Sequence, residues 1–272
     1  MNCSNCGANL SGPYCSECGQ KNDSHPPTFG HFVGETAESL THADSRLWQT
    51  LWLLLAKPGF LTTEFFAGRR ARYLPPIRLY IVLSVTFFLL LAIIPGDSED
   101  RQAAESVVVD VDCKELQYNG PFKAVVQGKL REGCARAVKD GGLGLANAFA
   151  KNIPKAMWFL LPVFAAVMLL FWWRPRRLYA EHLLFLIHNH SAVFATMTVV
   201  ILIDLVLAES IAGFVLFPIP FYLLWYTFRG MRVYYGDSRK LALAKFTTLG
   251  IIYAILAAMV LSLTGFASLL SI

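Results

Sequence analysis

The sequence predicts an all-α integral membrane protein, a five-span helical bundle preceded by a small cysteine-rich domain. Hydrophobic residues make up 55% of the 272 residues and charged residues only 16%, whereas about 25% of the residues of a soluble domain are charged. Five windows are apolar enough to cross a bilayer as helices, each of which needs about 20 residues. Their continuous apolar runs lack the alternation of a transmembrane β-barrel.

The predicted domains follow this pattern along the chain. Residues 1–24 form the cysteine-rich domain, residues 25–76 form a linker with interfacial amphipathic helices, and residues 95–152 form an external loop. Within the loop we expect a short strand at residues 106–112 and a short helix at residues 130–138. The predicted spans cover residues 77–94, 153–173, 183–207, 211–228 and 246–271.

A shorter apolar stretch, Leu47–Ala56, precedes the first span. Ten residues are too few to cross a bilayer, so we expect this helix to lie at the membrane interface or to re-enter the membrane. Asp44 is its expected N-cap, and Lys57, Pro58 and Gly59 are expected to end it.

The basic residues orient the spans. Basic residues precede the first span and fill the segments between the second and third and between the fourth and fifth spans, whereas the segment between the third and fourth spans has none and the long external loop mixes charges of both signs. Because Lys and Arg are enriched in cytoplasmic loops, we expect a multi-pass protein of the cytoplasmic (inner) membrane with a cytosolic N-terminus and an external C-terminus. The start of the chain lacks the pattern of a cleaved signal peptide, so we expect the first span to direct insertion.

Four N-terminal cysteines have the spacing C-x2-C-x8-C-x2-C: Cys3, Cys6, Cys15 and Cys18. Each pair places two thiolates on one tight turn, and four thiolates suit a tetrahedral zinc ion with Zn–S distances of about 2.3 Å. Glycine follows the second cysteine of each pair and tolerates the left-handed backbone of such a turn. We therefore predict a zinc ribbon. Two disulfides are the weaker interpretation, because the cytosol is reducing.

The predicted zinc is structural, because four cysteines leave no coordination position open for water or substrate. It would fold a peptide too short to build its own core. Nucleic-acid binding is not expected, since residues 1–25 contain one basic residue, Lys21, where a nucleic-acid surface needs a basic stripe. No catalytic constellation stands out in the sequence, so an enzyme is the third of the function classes considered.

Two further cysteines, Cys113 and Cys134, lie in the predicted external loop. An exported loop meets oxidising conditions, so we expect these cysteines to form a disulfide. Closing a loop of this size would stabilise the fold by about 3 kcal/mol.

The third span carries polar side chains that are costly in a membrane: Glu181, His182, His188, Asn189 and His190. An ionisable residue within a span is a functional-site hypothesis by default. Three interpretations stay open. The side chains hold neighbouring helices together by hydrogen bonds, they form a proton or ion path with histidines that titrate near neutral pH, or the glutamate and the histidines form a second metal site.

Two further surfaces are expected to bind partners. Arg69, Arg70 and Arg72 either hold anionic lipid headgroups, at about 1 kcal/mol each, or serve only as topology anchors. Small residues recur at every fourth position of the fifth span, and such a face packs closely against another helix, either within the bundle or in a homo-oligomer. These residues are Gly250, Ala254, Ala258 and Ser262.

Several motifs resemble those of an uncharacterised bacterial membrane family, known as domain of unknown function 3667. The motifs are the Cys-x-x-Cys-Gly pair with Gly19-Gln20, Asp44-x-Arg46-x-x-x-Thr50-Leu51 before Lys57-Pro58-Gly59, Gly68-Arg69-Arg70-x-Arg72-Tyr73, and Tyr179-x-Glu181-His182-Leu183 with His188-x-His190. The resemblance implies a zinc-ribbon start, several membrane helices and a bacterial cytoplasmic membrane. It supplies no established activity and no catalytic residues.

Two hypotheses about function follow. The first is transport or permeation of a small solute or ion through the polar cluster of the third span. The alternative is a membrane-anchored scaffold or interaction protein that uses the zinc ribbon and the basic inner surface.

Overall fold

The computed structural model describes residues 2–22, 46–93, 112–173, 176–207, 214 and 216–271. These residues form eight α-helices, and their only strand-like pairings are two isolated bridges near the N-terminus. The helices are α1 (Leu47–Ala56), α2 (Phe60–Phe66), α3 (Pro76–Ile93), α4 (Lys123–Lys139), α5 (Leu143–Phe171), α6 (Tyr179–Asp204), α7 (Ile219–Tyr235) and α8 (Arg239–Ser271).

Four of these helices are long and apolar enough to cross a membrane, namely α3, α5, α6 and α8. They overlap the first, second, third and fifth predicted spans, so the chain is a helical membrane protein. The fourth predicted span, residues 211–228, overlaps α7, which has 17 residues and begins directly after Pro218. Residues 208–213 and 215 lie outside the described residues.

The predicted external loop contains more helix than its sequence indicates. Helix α4 includes the helix expected at residues 130–138 but begins earlier, at Lys123. Helix α5 begins at Leu143, ahead of the predicted second span. The strand expected at residues 106–112 lies outside the described residues, apart from its last residue, Asp112. The expected N-cap of α1, Asp44, also lies outside the described residues.

The chain divides into two compact units. The first is formed by Met1–Leu91 and Val163–Gly250, and the second by Ala92–Pro162 and Ile251–Ile272. Within the second unit, the Cα atoms of Cys113 and Cys134 lie 5.7 Å apart with their sulfur atoms within bonding distance, which is the geometry of a disulfide.

In the first unit, α1 and α2 form a helical hairpin (residues 47–66) that packs against α6 and α7. Helix α1 ends at Ala56, where the sequence predicts its end. In the turn, Gly59 has a φ of 78°, and a Cβ atom there would lie 2.7 Å from the backbone oxygen of Gly230 in α7. Because a side chain would meet both backbone strain and a clash, Gly59 lets the hairpin and α7 meet backbone to backbone.

Two tyrosines of α7 hold the end of α1. The hydroxyl of Tyr222 donates to the carbonyl of Leu55 at 2.8 Å, and the hydroxyl of Tyr226 donates to the carbonyl of Leu54 at 2.6 Å. The last carbonyls of a helix have no intrahelical partner, and burying them unpaired is costly. The tyrosines therefore fix the hairpin against the bundle.

The two faces of α1 differ in burial. Thr50 and Leu54 are almost completely buried, and the Thr50 hydroxyl accepts a hydrogen bond from the backbone nitrogen of Leu74 at 3.2 Å. On the other face, Trp48 and Trp52 are 78% and 71% exposed. Two exposed tryptophans one turn apart are typical of a helix that meets a membrane interface.

Candidate functional site

The four N-terminal cysteines meet at one point, and their sulfur atoms all lie within 4.8 Å of one another. The Sγ atoms of Cys3 and Cys18 are 3.6 Å apart, and those of Cys6 and Cys15 are 3.5 Å apart. Tetrahedral zinc with bonds of about 2.3 Å would hold its sulfurs about 3.8 Å apart. The cluster therefore fits a four-coordinate metal ion, and within the described ranges it is the one group of His, Cys, Asp and Glu side chains that does.

The ribbon (residues 2–22) consists of two knuckles with the same backbone geometry. Gly7 and Gly19 have φ values of 79° and 70°, which confirms the left-handed turns expected after each cysteine pair. The amide of Gly7 donates to the carbonyl of Cys3, and that of Gly19 donates to the carbonyl of Cys15, each at 2.9 Å. Each knuckle thus presents its two sulfurs from the same kind of turn.

The side chain of Gln20 joins the ribbon to residues 68–73, here called the arginine loop. Its Nε2 donates to the carbonyl of Gly68 at 2.7 Å, and its Oε1 accepts from the amides of Arg70 and Ala71 at 3.0 and 3.1 Å. The ribbon is therefore docked on the segment that follows the hairpin. The sequence signal for this contact is that Gln20 follows the second knuckle where Ala8 follows the first.

The arginines of the loop have different surroundings. Arg69 forms an ion pair with Glu64 of α2, in which its Nε donates to Oε2 at 2.6 Å, and the Tyr73 hydroxyl donates to the same carboxylate at 3.4 Å. The Arg69 guanidinium holds the pKa of Glu64 below its usual range, and burial raises the pKa of Tyr73. The Arg70 guanidinium lies 5.0 Å from the ring centroid of Phe65.

Arg72 is exposed, unlike its two half-buried neighbours Arg69 and Arg70. Of the three arginines predicted to face lipid headgroups, it therefore presents the most side-chain surface to a partner.

The polar residues of α6 begin with Glu181 in its first turn. The carboxylate accepts hydrogen bonds from the amide of Leu178 at 3.0 Å, from Arg177 at 2.8 Å and from the hydroxyl of Tyr234 at 2.7 Å. An acidic side chain in the first turn of a helix is favourable. Glu181 thus caps α6 and joins it to the end of α7.

His182 is completely buried. Its Nδ1 is 2.8 Å from the hydroxyl of Tyr235, and its ring centroid lies 5.6 Å from that of Trp172. Its Nε2 has no hydrogen-bond partner among the described residues. This histidine packs inside the aromatic contact between the ends of α5, α6 and α7.

The three deeper polar residues bind three different partners. Nδ1 of His188 lies 2.9 Å from the hydroxyl of Thr62 in the hairpin, and Oδ1 of Asn189 accepts from the hydroxyl of Thr227 in α7 at 3.1 Å. Nδ1 of His190 donates to a carbonyl one turn earlier in α6, at 2.9 Å. The five polar residues of α6 therefore do not converge on one site, and they form no group able to hold a metal ion.

A small cavity lies between the hairpin, the arginine loop and α6. Its polar lining comes from Arg69, Arg70, Tyr73 and His188, and its volume is about 10 Å³. A space of this size admits about one water molecule. It links the buried His188 to the arginines of the loop.

The comparisons with known proteins give one family. Residues 44–88 match the family model DUF3667, described as a protein of unknown function. The chain has no significant match among curated proteins or among solved structures. The matched segment contains the hairpin, the arginine loop and most of α3, whereas the cysteine cluster and the polar residues of α6 lie outside it. The resemblance expected from the sequence is thus confirmed over residues 44–88, which are similar to the DUF3667 family.

Proposed function

We propose that this chain is a membrane-anchored scaffold in which the metal ribbon and the arginine loop form one binding platform at the inner membrane face. The observation that carries the proposal is the side chain of Gln20, which makes three hydrogen bonds to the backbone of the arginine loop. A ribbon joined to the rest of the protein only by the polypeptide chain would not make these three hydrogen bonds. A docked ribbon presents a defined surface to a partner.

The platform is tested by photo-crosslinking from Tyr14 in intact cells. This side chain is 59% exposed on the ribbon. A scaffold gives discrete protein adducts from a photoreactive residue at Tyr14, and these adducts disappear when Gln20→Ala undocks the ribbon. The matched control places the same residue at Phe122, which is 84% exposed in the second unit. Adducts that are the same with and without Gln20 would contradict the platform.

We propose that the ribbon metal is zinc in a structural role. The four sulfurs have the spacing of a tetrahedral thiolate site and leave no ligand position open. Purified protein should contain one zinc ion per chain by elemental analysis, and Cys15→Ser combined with Cys18→Ser should remove it. A full-length protein that binds no metal would contradict this assignment.

The proposed topology has five crossings, with α7 as the fourth, a cytosolic N-terminus and an external C-terminus. It is supported by the distribution of Lys and Arg along the sequence and by the proximity of Cys113 and Cys134, which would form a disulfide in an oxidising compartment. Labelling of intact cells with a membrane-impermeant thiol reagent should modify a cysteine placed at Ser271 but not one placed at Ser11. The reverse pattern would overturn the orientation.

The proposed lipid partner is an anionic headgroup at the inner leaflet. Arg72 is exposed, as are Trp48 and Trp52 of α1, and exposed cations and tryptophans are typical of a surface that meets lipid headgroups. In nanodiscs, Arg72→Ala should reduce retention of phosphatidylglycerol measured by native mass spectrometry. Lys129→Ala removes an exposed charge from the second unit and should have no effect.

A homo-oligomer is proposed through the small-residue face of α8. Gly250, Ala254, Ala258 and Ser262 are all exposed, and a Cβ atom added at Gly250 would meet nothing within 4 Å. Close helix pairing therefore has the room it needs. Ala254→Leu should lower crosslinked dimer in membranes, whereas Ile255→Leu, at an exposed neighbouring position, should leave it unchanged.

Permeation of a small solute or ion remains the second candidate function. One observation favours it, namely that the buried His188 lines a cavity together with Arg69 and Arg70. The cavity holds about one water molecule, so permeation requires a wider conformation. In proteoliposomes, His188→Phe combined with His190→Phe should abolish a measured flux, and an unchanged flux would remove this candidate.

A further inference from the structure

Gln20 belongs to two structures at once. Its backbone is part of the second knuckle, since its carbonyl accepts from the amide of Cys15 at 2.9 Å and its amide faces the sulfur of Cys18. Its side chain holds the backbone of the arginine loop at Gly68, Arg70 and Ala71. One residue therefore connects two metal-ligating cysteines to the loop.

The position of Gln20 depends on the cysteine site, because little else holds the ribbon together. Among residues 2–22 only Cys3 and Cys15 are buried. A peptide of this length without an apolar core does not fold until a metal binds its thiolates. Metal loss would therefore release the backbone of Gln20 and with it the three bonds of its side chain.

The first knuckle provides an internal contrast. It has the same turn and the same amide-to-carbonyl bond, with Ala8 at the position of Gln20. An alanine has no hydrogen-bonding side chain. The docking contact is therefore an addition to the second knuckle and is not required by the metal-binding turn itself.

The contact with Gln20 fixes the backbone of the arginine loop and, through it, the positions of the loop's own side chains. The amides of Arg70 and Ala71 share the Oε1 atom of Gln20. They lie next to Arg69, whose guanidinium binds Glu64. When Gln20 is withdrawn, the two amides and the carbonyl of Gly68 lose these partners, and the loop is free to change conformation.

From these contacts we infer that the ribbon is a metal-dependent latch: metal occupancy holds Gln20 on the arginine loop, and metal loss releases the loop for other partners at the membrane surface. The inference rests on the proposed metal site, and it proposes that metal binding regulates the platform. The regulated element is the backbone of residues 68–71, and the signal is availability of the metal ion.

The test is hydrogen exchange of full-length protein in detergent, read from peptides that cover residues 68–73. Metal removal by a chelator should accelerate exchange of the Arg70 and Ala71 amides about tenfold, the effect of losing one or two hydrogen bonds. Gln20→Ala in metal-loaded protein should give the same acceleration. Gln20→Glu keeps the acceptor for both amides and loses the donor to Gly68, so its effect should be smaller.

Two controls separate the latch from general loosening. Asn9→Ala removes an exposed amide side chain from the first knuckle and should leave exchange in the loop unchanged. Trypsin gives an independent readout, because cleavage after Arg69, Arg70 and Arg72 should speed up on metal removal, while cleavage after the exposed Lys129 in the second unit should not.

The outcomes distinguish the latch from the platform on which it rests. If elemental analysis finds no metal in the purified protein, the proposed metal site fails. If metal is present and chelation leaves loop exchange unchanged while Gln20→Ala accelerates it, the platform stands and metal control is overturned. If chelation accelerates loop exchange and Gln20→Ala does not, Gln20 is not the latch and the inference is overturned.

Discussion

Cysteines organise two regions of this chain by different chemistry. In the ribbon, four sulfurs surround one point and fit a metal ion. In the second unit, Cys113 and Cys134 face each other as a pair, with Cα atoms 5.7 Å apart. A metal site can be emptied by a chelator and not by a mild reductant, whereas a disulfide responds in the opposite way. Removal of the metal should therefore leave the second unit folded, and reduction of the disulfide should leave the ribbon folded.

The largest expected effect is loss of the ribbon metal. Cys15→Ser combined with Cys18→Ser should unfold the ribbon, since structural zinc supplies about 10–16 kcal/mol of folding free energy in small zinc domains. Hydrogen exchange should rise throughout residues 2–22, while peptides from α4 keep their protection. Increased exchange in α4 as well would show that the two regions are coupled.

The converse experiment breaks the second region. Cys113→Ser combined with Cys134→Ser should lower the free energy of unfolding of the second unit by about 3 kcal/mol, because the unfolded segment is no longer constrained by a crosslink. Thermal unfolding in detergent with and without a reductant measures this loss, and zinc content should stay constant. If mass spectrometry of unreduced protein finds both thiols free, the disulfide does not form.

A third change weakens the hairpin beneath the arginine loop. Gly59→Ala places a Cβ atom 2.7 Å from the backbone oxygen of Gly230 at a φ of 78°, and strain and overpacking together should cost about 2–3 kcal/mol. Gly236 is the matched control, because it has a φ of 73° and open space around it. Gly236→Ala should therefore lower the melting temperature less than Gly59→Ala.

The smallest expected effect concerns the ion pair of Glu64 and Arg69. Glu64→Gln should destabilise the first unit by about 1 kcal/mol at neutral pH. The expected loss is small because Arg69 is partly exposed and solvent screens the ion pair. Because the folded-state pKa of Glu64 lies below its ordinary value of 4.5, the contribution is complete above that pH and is lost as the pH falls through the lowered pKa. The difference in melting temperature between wild type and variant should therefore vanish in acid.

Glu132→Gln is the control for this pair. Glu132 and Arg136 form a looser pair at 3.9 Å with both side chains mostly exposed, and such pairs contribute little. A pH-dependent loss of the same size in Glu132→Gln would show that the effect at Glu64 reflects net charge alone.

Short sequence patterns predicted those parts of the fold that neighbouring residues determine. The cysteine spacing predicted the cluster of four sulfurs, and the apolar runs predicted helices α3, α5, α6 and α8. Pro58 and Gly59 predicted the end of α1 at Ala56. Each of these features is decided by residues that lie close together in the sequence.

Contacts between distant segments were not visible in the sequence. Gln20 meets the arginine loop across 48 to 51 residues, and His188 meets Thr62 across 126 residues. Glu181 and His188 fall near one helical face, yet their partners lie on α7 and on the hairpin. Helical spacing identifies which side chains share a face, but it does not say which element packs against each of them.

The contact of Gln20 has a consequence for how the loop tolerates substitution. All three of its partners are main-chain groups, a carbonyl that every amino acid provides and two amides that every amino acid except proline provides. The side chain of Gln20 thus recognises the path of the loop, and the ribbon restricts the loop's side chains at Gly68, where a Cβ atom would lie 3.0 Å from the Cβ atom of Ser4. Charges could be removed from residues 69–72, or new recognition sequences grafted there, with the docking of the ribbon preserved.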